Sequence, residues 1–125
     1  MTDLIASMAA SASGMAAQSA RMRLVGENIA NADTPGYHRK LVSFESLAAG
    51  TVAAGRVTLD QTQPARHFDP SHPMADAAGY YDGSNVNLVL EIADAREAQR
   101  GYEANLRLFD QARQMSSAAL TLLRR

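Results

Sequence analysis

Asn28-Ile29-Ala30-Asn31-Ala32-Asp33-Thr34-Pro35-Gly36-Tyr37 is the stretch on which the reading of this chain turns. Residues 2–31 contain no proline, so nothing interrupts a helix before this point. Within the stretch, Asn28, Asn31 and Asp33 lower helix propensity. Pro35 and Gly36 then occupy the two central places of a type II turn, where proline fixes φ and glycine supplies a positive one. A long helix therefore stops here, and Asn28, Asn31, Pro35, Gly36 and Tyr37 form the motif that stops it.

Upstream, Met1, Ile5, Met8, Ala12, Met15, Ser19, Met22, Gly26 and Ile29 follow alternating steps of four and three, one seam of a coiled-coil helix. About 28 helical residues span roughly 42 Å. Several seam positions are small or polar, so the helix is weak alone and depends on partners for its order. Downstream, Tyr37–Phe44 reads as a strand, residues 45–54 as small and flexible, and Arg56–Asp60 as a second strand. Residues 61–84 hold three prolines and two glycines and read as a loop with a short strand at Gly79–Tyr81.

A second long helix starts at Asn87, whose side chain suits an N-cap. Glu91 and Asp94 near its start and Arg124 and Arg125 at its end complement the helix dipole. Leu88, Ile92, Ala95, Gln99, Tyr102, Leu106 and Phe109 form its seam, which gives way to Ala112, Met115, Ala119 and Leu122. The expected fold is mainly α. Long N- and C-terminal helices pack as a coiled-coil hairpin around a small β-rich, irregular middle, dividing the chain at 1–33, 34–85 and 86–125.

The bulk numbers fit this outline and exclude several functions. A chain of 125 residues forms one domain or one elongated subunit. Net charge is −1 and pI about 6.3, so no one-sided field draws it to nucleic acid or an anionic membrane. There is no cysteine and no tryptophan, and aromatics are only 6 %. Much of the 46 % hydrophobic content is alanine and methionine, which let helices approach closely and fill irregular gaps. Leu4–Ala20 carries no charge, but its serines and alanines insert poorly into lipid. Without a basic stretch before it, this segment is not a cleaved signal.

Candidate chemistry is sparse. His67, Asp69, His72 and Asp76 lie in a proline-rich loop without the i,i+4 spacing of a helical zinc site, so neither metal nor cofactor is expected. No phosphate loop or nucleophile elbow is present. His38-Arg39-Lys40 is a short basic run that reads as an exposed strand or a contact for an acidic neighbouring subunit. Tyr80-Tyr81 reads as an aromatic contact or the anchor of the middle segment. Leu4, Leu24 and Val25 on the first helix, and Val89, Leu90, Leu108 and Leu123 on the second, lie off the main seams. Surplus apolar surface of this kind marks an interaction site. The expected subunit interface comprises Ile5, Met8, Met15, Met22 and Ile29 with Ile92, Tyr102, Leu106, Phe109, Leu120 and Leu123. Periodicity alone leaves a dimeric four-helix bundle and an open assembly both standing.

The motifs at the two ends resemble those of a known family. Ser13-Gly14-Met15, Ala17-Gln18 and the asparagine-rich stop at 28–37 are similar to the N-terminal signature of bacterial flagellar rod, hook and hook-associated proteins. Asp69-Pro70-Ser71-His72-Pro73-Met74, Ser84-Asn85-Val86-Asn87 and Arg100-Gly101-Tyr102-Glu103-Ala104-Asn105 resemble its proximal-rod members. Those members usually carry proline where Ser84 stands, commonly an acidic residue where Asn87 stands, and often an insertion after the asparagine motif. The resemblance implies a non-enzymatic structural subunit of the periplasmic rod that transmits motor torque towards the hook. It further implies partners among its own copies and other rod proteins, and passage through the flagellar type III export apparatus without cleavage. Nucleic acid and direct lipid insertion are not expected. The alternatives are another rod protein, or a soluble helical adaptor or export chaperone.

Overall fold

The computed structural model describes residues 2–125, so the predicted seam position Met1 lies outside the described residues. Helix α1 spans Thr2–Ala30 and helix α2 spans Leu88–Leu123. Between them come β1 (Lys40–Ser46), a 3-10 turn (Ala48–Gly50), β2 (Val52–Leu59), β3 (Arg66–Phe68) and β4 (Tyr80–Asp82). The helix stop works as its residues dictate. The Tyr37 N–H donates to Thr34 O across 3.2 Å, and Gly36 takes the positive φ, 74°, that proline and β-carbon-bearing residues avoid. Asn87 caps α2, its side chain accepting from the Val89 and Leu90 N–H groups.

The helices lie antiparallel. Asn28 bonds Glu91, Arg21 reaches Asp94, Gln18 sits on Gly101 and Gly14 on Asn105. Carried on, this register sets Thr2 opposite residue 117, so residues 118–123 run about 9 Å past the start of α1.

Strands β1 and β2 form an antiparallel ribbon with a bulge between Val42 and Phe44 and lie along α1. At one end Lys40 bonds Asn28; at the other the Val52 N–H donates to Ser13 Oγ across 3.0 Å. The match is one of length. From Ser13 to Asn28 a helix rises about 22 Å, and a strand of the length of β1 covers about 23 Å. Strands β3 and β4 make a second, separate antiparallel ribbon. Phe68 packs on Tyr80 with ring centroids 5.1 Å apart, and His72 stacks on Tyr81 at 3.9 Å. The tyrosine pair thus anchors this ribbon.

Three expectations need correction. Residues 45–54 take regular structure: β1 runs to Ser46, β2 starts at Val52, and Leu47 to Thr51 makes a tight ribbon turn, with Leu47 N–H donating to Thr51 O at 2.8 Å and Ala49 and Gly50 at φ 58° and 75°. Strand β1 runs over Lys40–Ser46, later than Tyr37–Phe44 at both ends: Tyr37 closes the turn motif, and the Arg39 N–H is taken by the Asn85 side chain. The short strand is Tyr80–Asp82 rather than Gly79–Tyr81, and it pairs with a strand, Arg66–Phe68, inside the expected loop.

The seam between the helices is also displaced. Side chains buried on α1 are Ser11, Ala17, Leu24, Val25 and Asn28, and on α2 Glu91, Ala98 and Ala112. Leu24 and Val25, read as off-seam, are in the core. Ile5, Ala12, Ser19, Gly26 and Ile29 are exposed, as are Leu88, Ile92, Gln99 and Leu106. The cause is size: the closest approach of the two helices takes glycine, alanine and small polar residues, so larger side chains move to the flank. Met8, Met15, Met22, Tyr102 and Phe109 are half-buried at that edge.

Ala17, Leu24, Val25, Ala98 and Ala112 are the buried hydrophobic side chains among the described residues. Only Leu24 and Val25 bring the ~1.5–3 kcal/mol of a fully buried large aliphatic. Ordering a residue's backbone costs about 1–2 kcal/mol. This interior is thin for helices of 29 and 36 residues.

Candidate assembly interface

Where the helix ends meet the first ribbon, a polar clasp ties the motif to α2. Asn28, 1 % exposed, uses its whole amide. Its Oδ1 accepts from the Tyr37 hydroxyl and the Lys40 N–H, each at 2.8 Å, and its Nδ2 donates to Lys40 O at 3.0 Å and Glu91 Oε2 at 3.3 Å. The other Glu91 oxygen accepts from Arg39 Nε. Arg39 also donates to Asp94 at 2.8 Å and lies 3.5 Å from Asp60. Asp94 accepts from Arg21 as well, at 3.4 Å, so one carboxylate bridges both helices and the segment leading into β1. Asn85 closes the far side: its Oδ1 accepts from the Arg39 N–H at 2.6 Å, and its Nδ2 donates to Asp60 O and Thr62 O.

Electrostatics follow from this packing. Burial alone would pull the Arg39 guanidinium pKa down, but the Glu91 hydrogen bond and the Glu91 and Asp94 charges outweigh it and the net shift is upward. Burial raises the Tyr37 phenol; Lys40 opposes this, while Glu27 and Glu91 add to it. Lys40, held by Glu27 at 2.9 Å, is shifted up by that hydrogen bond and charge. The basic run at 38–40 is therefore not an open cationic strand: its acidic partners lie in its own chain.

Sequence reasoning found Asn28, Pro35, Gly36 and Tyr37 but missed Arg39, Glu91 and Asn85 as their partners. In the sequence Glu91 carries only the mark of a helix-dipole partner. Ser84 donates its hydroxyl to Ala32 O, fastening the segment that leads into α2 to the turn that follows α1.

Further along the hairpin, the helices interlock by reciprocal notches. A β-carbon on Gly14 would lie 2.6 Å from the Asn105 amide, and one on Gly101 would lie 2.6 Å from the Gln18 amide. Each glycine thus makes the recess for the other helix's amide. Asn105 is further held by donating to Gly101 O at 2.8 Å.

Of the expected interface residues, Ile5, Ile29, Ile92, Leu106, Leu120 and Leu123 are exposed, Leu123 by 76 %. Met8, Met15, Met22, Tyr102 and Phe109 sit partly within the hairpin. At about 100° per residue, Ile5, Ala12 and Ser19 share the back of α1, turned away from α2, and Leu88, Ile92 and Leu106 share the flank of α2 opposite Leu108. No cluster of histidine and carboxylates able to hold a metal occurs among the described residues. No described helix is long and apolar enough to cross a membrane.

The clasp draws its residues from both segments that match known families. Residues 8–38 match the family described as "Flagella basal body rod protein", and residues 77–122 match "Flagellar basal body rod FlgEFG protein C-terminal". The chain is similar to the flagellar basal-body rod protein FlgC of Agrobacterium fabrum, 38 % identical over 99 % of this chain and 98 % of that protein. Similarity extends to FlgC of Salmonella typhimurium, 34 % identical over 88 % of this chain and 90 % of that protein. FlgC of Bacillus subtilis is 30 % identical over 93 % of this chain and 95 % of its own length. The alignment with the Agrobacterium fabrum protein spans helix, turn, ribbons and helix, and the chain belongs to the FlgC family of flagellar basal-body rod proteins.

Proposed function

We propose that this chain is a structural subunit of the flagellar basal-body rod that assembles helically through its terminal helices, at the proximal end of the rod, and passes torque towards the hook. One observation carries the reading within this family. Among the described residues two large aliphatic side chains and three alanines are buried, yet Ile5, Ile29, Ile92, Leu106, Leu120 and Leu123 are exposed on the helices. Such helices gain lasting order when neighbours cover them. The terminal segments 1–33 and 86–125 then form the inner shaft, and 34–85 the outward ribbons. Neighbours are further copies and other rod proteins. The subunit reaches the periplasm through the flagellar type III apparatus with its N-terminus uncleaved, and no reaction is assigned to it.

The test is genetic and structural. Cells deleted for this gene should lack complete rods and be immotile, and the wild-type gene should restore both. Leu106→Asp and Ile92→Asp change exposed positions, so the soluble chain should keep its helicity while assembly fails. Complete, rotating flagella in the deletion strain would refute the proposal. A stable small oligomer bound to one soluble client would favour the adaptor reading instead.

A further inference from the structure

On each helix there is an exposed face without a partner among the described residues. On α2, Ala104, Leu108, Gln111, Met115, Ala118 and Leu122 recur at alternating steps of four and three, with no charge among them. Leu108, Met115 and Leu122 are 54, 52 and 67 % exposed, so three large apolar side chains one heptad apart stand out as a ridge. Leu108 shares a groove with Phe44, Gly50 and Val52, which sets the ridge on the β1–β2 side. On α1, Ile5, Ala9, Ala12, Ala16 and Ser19 are exposed at the same steps. They lie about half a turn from Gly14 and Gln18, which meet α2, so they form the back of the hairpin. Beyond Ile5 this face consists of alanine and serine, a low surface, and residues 4–20 contain no ionisable side chain.

We infer that the α2 ridge of one copy seats on the small-residue α1 face of a second copy. The inference rests on the assembly reading above and names its surfaces. Four features favour this occupant. Both faces run at the period of a helix pair, so contact can persist along their length. The ridge is about 27 Å long and the flat face about 21 Å. Neither face carries a charge that burial would strip of water, and each has a single polar member, Gln111 on the ridge and Ser19 on the flat face. The ridge also continues the hairpin's own interface, since Leu108 and Gln111 are the chain neighbours of half-buried Phe109 and buried Ala112. Large-into-small packing is already how the two helices of one chain meet, at Gly14 and Gly101. Because the two faces differ and belong to different helices, a copy that has given its ridge still offers its flat face, so the contact is heterologous and can repeat from copy to copy.

The chain has no cysteine, so single cysteines report contacts cleanly. Ala9→Cys, Ala12→Cys and Ala16→Cys form one set, Leu108→Cys and Met115→Cys the other. Each is expressed alone, or with one of the other set, in cells lacking the native chain, and purified basal bodies are treated with a flexible bis-maleimide. At least one mixed pair should give tenfold more cross-linked dimer than either of its members alone. Dimer from ridge variants alone at equal yield means ridge meets ridge and overturns the inference. Rods that contain both variants of every pair yet yield no mixed dimer overturn it too, while leaving the rod assignment intact. Absence of the wild-type chain from basal bodies would overturn the assignment and this inference together.

Discussion

Glu91→Ala is the substitution that most directly tests the clasp. The side chain is wholly buried and accepts from Arg39 Nε and Asn28 Nδ2. Removing one partner of a buried ion pair costs about 3–5 kcal/mol. Arg39 keeps Asp94 at 2.8 Å and Asp60 at 3.5 Å, so its charge is not stranded and the lower end applies. The expected loss is about 3 kcal/mol, a large part of the ~5–15 kcal/mol that holds an ordinary domain together. Urea unfolding followed by circular dichroism at 222 nm measures it, with trimethylamine N-oxide added to raise the baseline of so thin a fold. Asn28→Ala and the double variant complete a cycle, which should show coupling of about 1 kcal/mol or more because the two side chains share a hydrogen bond. Hydrogen exchange at the Lys40 amide, which donates to Asn28 Oδ1, should accelerate in both single variants. A loss under about 1 kcal/mol for Glu91→Ala, with coupling indistinguishable from zero, would refute the argument that the clasp joins the motif to α2.

Gly101→Ala should destabilise the hairpin by about 1–3 kcal/mol through overpacking, and Gln18→Ala in the same chain should recover much of that, as read by the same unfolding curves. Ala49→Gly should stabilise the first ribbon by about 0.5–1 kcal/mol, because a left-handed φ of 58° costs alanine what glycine avoids; a lower urea midpoint would contradict this. Asp60 is held below its ordinary 3.8 by hydrogen bonds from Thr62, Asp69 by the Ser71 hydroxyl, and Asp76 by the Tyr80 and Ala78 N–H groups. A depressed carboxyl favours the folded state above its unfolded pKa, and that contribution disappears as pH falls through the folded value. The tyrosine near-ultraviolet signal of the β3–β4 ribbon should therefore fade below about pH 4, and Asp76→Asn should lessen the acid dependence.

Local chemistry was legible in the sequence, and long-range partnership was not. Pro35-Gly36 and Asn87 act through their own backbone, so the turn and the cap could be read from a few residues. The helix lengths followed from uninterrupted runs without proline. The seam could not be placed to the residue, because the buried positions are Ser11, Ala17, Asn28, Glu91, Ala98 and Ala112, while hydrophobic periodicity weights methionine and isoleucine. Arg39 and Glu91 are 52 positions apart, and neither carries a local mark of the other. The ribbon turn escaped because alanine, not glycine or asparagine, takes its first left-handed place. The asparagine motif was legible as a helix stop, but its second duty, hydrogen-bonding three other parts of the chain, appeared only once Lys40, Tyr37 and Glu91 were in place around Asn28.

The clasp also dictates when the molecule can take shape. Asn28 and Arg39 leave the ribosome long before Glu91 and Asp94 are made, and the notches of Gly14 and Gln18 await Gly101 and Asn105. Through most of translation the first helix has only the nearby ribbon to lean on. Closure of so wide a span of chain is slow compared with local helix formation. The newborn polypeptide therefore stays open until the second helix emerges, and any machinery that must catch it unfolded has that interval in which to act.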